Sequence, residues 1–397
     1  LSEKNKALML LILIMIMAFV DMMGIASIFP FISVISNPQL IETNQYLNYF
    51  FKISKNYGVT STNEFILLLG IIFLLFLIIS LILKALTLFL QVRFVLMREY
   101  SIGKRLIEGY LHQPYTWFID QYSSKLGKNI LSEVSQVVGG IIMPFITIIT
   151  QGAVILALLI LILIIDTKLA IYSTLTLSLI YGTIYFLIKN YLHRKGAERL
   201  KANEVRFSAV SEAFNAIKEI KIFGIENYFI NKFDKSAKLY ANNLSLIKII
   251  GQLPRYAIEG IAFGALIFLV FILMEKDKVF SDIAPIIALY AFAGYRLMPA
   301  LQQIYSSFSQ LRFSHSTLDI LYNDLNLIKN LNVPENNKTI NLKKTILLKN
   351  VSYSYPYAES LTLKNIDLSI PALSKVGIVG KTGSGKTTIV DIIMGLL

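Results

Sequence analysis

The chain has no cysteine at all. That excludes disulfides, thiol catalysis and cysteine-ligated zinc. It has three histidines, His112, His193 and His315, scattered without metal-ligand spacing, which are taken as ordinary polar residues. Charge is also scarce: 16% of the 397 residues are charged, whereas a soluble domain is usually about a quarter charged. What fills the gap is apolar, 55% hydrophobic residues with a mean hydropathy of +0.61. These figures imply a membrane protein with a small soluble part. The net charge of +13 would suggest nucleic acid in a soluble protein. Here the basic residues stand beside apolar spans, so an anionic membrane face accounts for them and no nucleic-acid partner is expected.

The long apolar runs read as six spans, at about 7–36, 65–97, 137–165, 169–190, 252–274 and 283–308. Each is long enough to cross the roughly 30 Å hydrocarbon layer at about 1.5 Å per residue. Lys4, Lys6 and the run Ala7–Val20 have the order of a secretory signal, but no small-x-small cleavage site follows, so a first membrane helix is preferred. A tight turn at 166–168 joins the third and fourth spans. Orientation follows from Lys and Arg. Arg98, Lys104, Arg105, Lys125 and Lys128 lie between spans two and three. A longer basic segment, from Lys189 to Lys248, lies between spans four and five. The other loops are poor in basic residues, and Glu275 and Asp277 offset Lys276 and Lys278. The two basic segments are therefore cytoplasmic.

Both segments have few helix breakers and read as membrane helices that run on into the cytosol. Each holds one short break, at His112–Trp117 and at Phe223–Glu226; two plain helical hairpins are the other reading. Outside the membrane, Asn44–Lys52 is aromatic and amphipathic, either a helix lying on the outer interface or an ordered loop. Residues 326–345, rich in Asn and Lys, read as a linker between a transmembrane domain at 1–325 and a second domain from 346. From Thr345 the pattern turns β-like over 346–355 and 361–370: two strands or a hairpin.

Gly380-Lys381-Thr382-Gly383-Ser384-Gly385-Lys386-Thr387 matches G-x-x-x-x-G-K-[ST], a phosphate-binding P-loop. The glycines allow a tight turn and close backbone approach. The loop N–H groups can cradle a phosphate, Lys386 can reach the β- and γ-phosphates, and Thr387 can offer its hydroxyl to Mg²⁺. Thr388 completes the stretch. A short strand is expected at Lys375–Gly380 and a helix at Ile389–Leu397, whose N-terminal dipole faces the phosphates. With six spans the chain returns to the cytoplasm, the side on which ATP is found.

Six spans, two long basic cytoplasmic segments, a linker and a P-loop together resemble an ABC exporter half-transporter. The resemblance implies an α-helical polytopic membrane domain followed by a truncated α/β P-loop nucleotide-binding domain, with ATP and Mg²⁺ as cofactors. It implies that Tyr355 stacks on adenine. It also implies that residues 111–118 and 221–228 are coupling helices, carrying Pro114, Tyr115, Trp117, Phe223, Gly224 and Glu226. Within the family, 28–33, 254–260, 295–299 and 314–319 are most similar to bacterial lipid-linked oligosaccharide flippases. The expected partners are a second copy or a homologous half-transporter, the lipid bilayer and an anionic lipid-linked substrate. The expected location is the bacterial inner membrane.

Two departures stand out. The family usually has a glycine turn before the P-loop strand, whereas Pro371–Ser374 has none. The Q-loop, signature, Walker B acid and switch histidine are expected beyond Leu397, so the catalytic base is not named and the chain alone is expected to be inactive. Export of a peptide, drug or plain lipid, and a membrane-anchored ATP-binding regulator without transport, are the rival functions.

Charged residues inside spans are costly and usually functional. Lys84, Arg255 and Arg296 are three such residues and form a candidate substrate site. Counting from the outer ends, Lys84 lies about 28 Å and Arg296 about 20 Å down at 1.5 Å per residue. Asp21 is placed in the outer half of span one, a distant partner for Arg296. Lys84 and Arg255 can instead snorkel, and Arg255 can pair with Glu259.

Overall fold

The computed structural model describes residues 3–56, 58–165, 167–275, 280–329, 341–356, 358 and 360–397. The first apolar run forms α1 (Glu3–Ala26) and α2 (Ile28–Ser36), broken at Ser27 just before Pro30, where a proline suits the first turn of a new helix. Outside the apolar layer, α3 (Leu40–Thr43) leads into α4 (Gln45–Lys55). The Asn44 side chain caps α4 by accepting from the backbone N–H of Tyr46 and Leu47. The segment is thus a helix, not a loop. Phe51 turns inward onto Phe65 with ring centroids 5.1 Å apart, while Tyr46, Tyr49 and Phe50 are exposed.

The chain then runs in very long helices. α5 (Thr62–Leu111), α10 (Thr167–Asn215), α12 (Glu226–Glu275) and α13 (Phe280–Lys329) hold 49 or 50 residues each. At 1.5 Å per residue these are about 75 Å long, far beyond a bilayer. In each, the apolar span and the segment next to it therefore belong to one continuous helix. Between them come α6 (Tyr115–Ile119), α7 (Ser123–Lys128), α8 (Val134–Val137), α9 (Met143–Ile165) and α11 (Ile217–Phe223). Two π-helical turns, Asn129–Glu133 and Val138–Ile142, flank α8.

Three helical stretches among the described residues are long and apolar enough to cross a membrane: Lys4–Ser36, Thr62–Leu111 and Ser123–Ile164. The expected spans at 169–190, 252–274 and 283–308 fall inside α10, α12 and α13. Of the turns read from the sequence, Asp166 and residues 276–279 lie outside the described residues, as do 330–340 of the linker.

By contacts the chain forms two units, Leu1–Gly103 with Lys128–Tyr322, and Lys104–Gly127 with Asn323–Leu397. In the first, α1 packs on α9 and α10 packs along α12. Its core gathers Met17, Ile25, Leu158, Ile162, Ala293 and Leu297. The second contains the break after α5, the end of α13 and the β-like segment. There β1 (Thr345–Tyr353) and β2 (Leu363–Pro371) form an antiparallel hairpin, and α14 is Lys386–Ile393. The strand expected at Lys375–Gly380 is not formed. The segment has no ladder partner among the described residues, and a strand exists only through its neighbour.

Candidate functional site: a P-loop and an intramembrane charge cluster

The P-loop is built by its glycines. Gly383 and Gly385 both take φ +83°, a left-handed conformation costly for other residues. A Cβ at Gly385 would sit 2.6 Å from Leu363 Cδ2, and one at Gly380 2.6 Å from Ser384 Oγ. Lys386 folds back across the loop and donates from Nζ to the carbonyls of Gly380 (2.8 Å) and Lys381 (2.7 Å). A closed backbone ring around one ammonium, opening onto the first turn of α14, suits an anionic phosphate. The helix begins at Lys386, three residues before the expected start, and ends at Ile393. Lys381, Thr382 and Thr387 lie along the exposed rim. Tyr355 comes to the same place: its hydroxyl is 3.1 Å from Thr388 Oγ1, and Thr388 is buried. The glycine-free turn before the loop has a physical cost. Leu373 sits at φ +61°, where a non-glycine residue loses about 1–2 kcal/mol.

The second cluster lies among the apolar helices. Asp21 on α1 is 1% exposed. Its carboxylate accepts from Ser80 Oγ at 2.6 Å and from Lys84 Nζ at 2.9 Å, both on α5. Arg296 Nη2 on α13 reaches the same carboxylate at 3.5 Å. Two cations thus share one anion. Two expectations need correction. Asp21 is not distant but is the centre of the cluster. A count along a helix cannot say where a bilayer cuts a rod of 50 residues, and the side chains of Lys and Arg add several ångströms of reach. Arg255 does not join. Its Nε donates to Glu259 Oε1 at 2.5 Å, one turn along α12, as the i,i+4 spacing allows.

The breaks read from the sequence are present. After α5, Pro114 (φ −62°, ψ 150°) sets the start of α6 at Tyr115, and Trp117 lies within it. Phe223 ends α11, and Gly224 closes it at φ +63°. Glu226 opens α12 and accepts from Lys221 Nζ at 3.0 Å. A hydrogen bond from its own backbone N–H, and then the one from Lys221, hold the Glu226 carboxyl below the usual range. Ile222, Phe223 and Tyr228 are exposed around the break.

Sequence reading missed a buried network where α10 and α13 meet the first π turn. Arg199 (1% exposed) donates from Nη2 to Glu133 Oε2 and to Thr317 Oγ1, each at 2.7 Å. Asn203 donates to the other Glu133 oxygen at 2.6 Å. Nothing marks these residues locally, because each is an ordinary polar residue in a basic helical segment. Backbones come close here as well: a Cβ at Gly196 would fall 1.8 Å from the carbonyl of Phe313.

Very long apolar helices followed, after α13, by a P-loop motif define a membrane protein of the ABC exporter class. The family model for the ABC transporter transmembrane region matches residues 7–274, and the one described as ABC transporter matches 363–397. The chain belongs to the ABC transporter transmembrane-region family. It is 24% identical over 297 residues to the ATP-dependent lipid A-core flippase of Photorhabdus laumondii, covering 74% of this chain and 50% of that protein. The flippase of the same name from Escherichia coli K12 is 23% identical over 296 residues, again covering 74% of this chain and 50% of the relative. The nisin transport ATP-binding protein NisT of Lactococcus lactis is 30% identical over 186 residues, 46% of this chain and 30% of that one. The chain spans about half the length of the flippases it matches. A solved bacterial Atm1-family ABC exporter with ATP bound superposes with a TM-score of 0.67 at 12% identity, over 100% of this chain and 66% of that one. That likeness establishes the exporter fold.

Proposed function

We propose that this chain is the membrane half of an ATP-driven transporter that flips an amphipathic anionic lipid, a lipid-linked oligosaccharide, across the bacterial inner membrane. The observation that carries the substrate reading is the unequal cluster at Asp21. One carboxylate offsets only one of Lys84 and Arg296, which leaves one positive charge at a site lined by apolar helices. A guanidinium held at 3.5 Å is loosely engaged and suits bidentate contact with a phosphate. Similarity to the lipid A-core flippases supports a lipid substrate.

The organisation that follows is a transmembrane domain at 1–325, a linker at 326–345 and a cytoplasmic nucleotide-binding part from 346. Gly380–Thr388 would bind the ATP phosphates, with Lys386 as their cation, Thr387 as the Mg²⁺ ligand and Tyr355 beside the base. ATP would supply the free energy of its phosphoanhydride bond. With one P-loop and six spans per chain, a second copy or a homologous half-transporter completes the machine. The segments at 111–118 and 221–228 couple the nucleotide part to the spans. The exposed Ile222, Phe223 and Tyr228 offer an apolar surface for that docking.

The test uses the full-length protein in proteoliposomes with a lipid-linked oligosaccharide in the inner leaflet. Parent protein is expected to hydrolyse Mg-ATP and flip the probe, and Lys386→Ala to do neither while still inserting. Near-parental hydrolysis by Lys386→Ala overturns the P-loop role. A parent that hydrolyses ATP and moves a peptide, but not the lipid-linked oligosaccharide, overturns the substrate.

A further inference from the structure

The residue that ties the first break to the end of α13 is Tyr110, which no motif singled out. It lies two residues before the break, at the end of α5, and is 4% exposed. Its ring stacks on Trp117 of α6, with centroids 5.6 Å apart and planes 25° apart. Its hydroxyl donates to Asp324 Oδ2 at 2.5 Å, on the last turns of α13. One residue earlier, Gly109 lies so close to α13 that a Cβ would fall 2.3 Å from Ile328 Cγ2. Two helices that meet with no room for a methyl group, and a charge-assisted hydrogen bond beside them, make a fixed joint. Beyond α13 the chain leads through residues 330–340 to the hairpin and the P-loop.

We propose that Tyr110 is a positioning residue that locks the break at 112–119 to the end of α13, so that both move as one piece when the P-loop changes its occupancy. The proposal rests on the transporter reading. It adds which side chains carry the link: the Tyr110 ring holds Trp117, and its hydroxyl holds Asp324. A Tyr110 that only filled space would need its ring and not its hydroxyl.

Trp117 is the only tryptophan in these 397 residues and is half-buried, so its fluorescence reports the joint. In full-length protein, the same signal is isolated as the difference from a Trp117→Phe control. The parent is expected to hydrolyse Mg-ATP and to change its Trp117 emission when nucleotide is added. Tyr110→Phe keeps the ring, so its resting spectrum should match the parent. Its nucleotide-induced change should shrink about tenfold, the factor expected for one hydrogen bond to a charged acceptor. Asp324→Ala should behave in the same way, Asp324→Asn should restore most of the response because it keeps an acceptor oxygen, and the double variant should be no worse than either single one. Parental responses in Tyr110→Phe and Asp324→Ala overturn the joint, as do additive losses in the double variant. So does a parent that hydrolyses ATP while Trp117 stays silent. A parent without ATP hydrolysis instead refutes the transporter reading on which the joint depends.

Discussion

Two buried charge clusters among the described residues have similar make-up and opposite balance. In the network at Glu133, one carboxylate meets one guanidinium, and Thr317 and Asn203 supply further hydrogen bonds. Arg199 is 1% exposed, and its ring neighbour Tyr240 lies 5.8 Å from the guanidinium carbon. In the cluster at Asp21, one carboxylate meets two cations, and these keep 28% and 22% of their side-chain surface open. Burying charge is expensive and is tolerated when partners are complete. The first cluster is balanced in charge, with Arg199 Nη1 alone of its guanidinium nitrogens buried without a hydrogen-bond partner, and at 1% and 0% side-chain exposure it is closed to any ligand. The second has one cation in excess of its carboxylate and stays partly open, as the proposed anionic substrate requires. The difference teaches that burial alone does not separate the two clusters. Charge balance and access do, and on these rests the choice of the Asp21 cluster as the candidate site.

The strongest way to break this comparison is at Arg199. Arg199→Ala leaves Glu133 buried and unpaired, so a loss of about 3–5 kcal/mol is expected. It should appear as a clear drop in the thermal midpoint of the purified protein. Glu133→Gln with Arg199→Met should recover most of it, since no charge then remains; if the double variant is no better than Arg199→Ala, the network is not a closed pair. Gly196→Ala probes the same place by volume. With Phe313 O in the way, it should cost about 1–3 kcal/mol. Gly103→Ala, which meets nothing within 4 Å, should cost nothing in the same melt.

The open cluster should respond in transport and not in the melt. Arg296→Ala is expected to lower flipping about tenfold, as for losing one hydrogen bond to a charged group. Arg255→Ala, whose guanidinium is already held by Glu259, should stay within about twofold, in line with an exposed i,i+4 pair. Equal losses in the two variants would erase the distinction between them.

The smallest effect belongs to a pair in water. The Glu212 carboxyl is held below its ordinary value of 4.5 by hydrogen bonds from Lys232 and then from Ser208. A depressed acid contributes stability above its ordinary value and loses it as pH falls through the lowered one. Glu212→Gln should therefore lower stability slightly at pH 7, and its difference from the parent should vanish as pH falls below 4.5. About 1 M salt should mask the difference. A melt whose pH dependence is the same in both proteins would show that this pair contributes nothing.

Residue order alone determined the rods, the hinges and the loop. Long apolar runs that continue into breaker-poor basic segments can only be helices longer than a membrane. Pro114 and Gly224 stop them where proline and glycine chemistry requires. The spacing of Gly380, Gly385 and Lys386 matches the P-loop motif by itself. These features are local, because each depends on backbone preferences over a few residues. Partnership was decided only in three dimensions. Asp21 sits 59 positions before Ser80 and 275 before Arg296, and Glu133 sits 66 before Arg199. No periodicity links residues so far apart. The stretch at 375–380 makes the same point from the other side: its composition is that of a strand, and a strand forms only where a neighbour accepts its hydrogen bonds. Tyr110 and Trp117 are seven residues apart, yet only the turn at Pro114 folds one ring onto the other, and only the close approach at Gly109 brings Asp324 within reach of the Tyr110 hydroxyl.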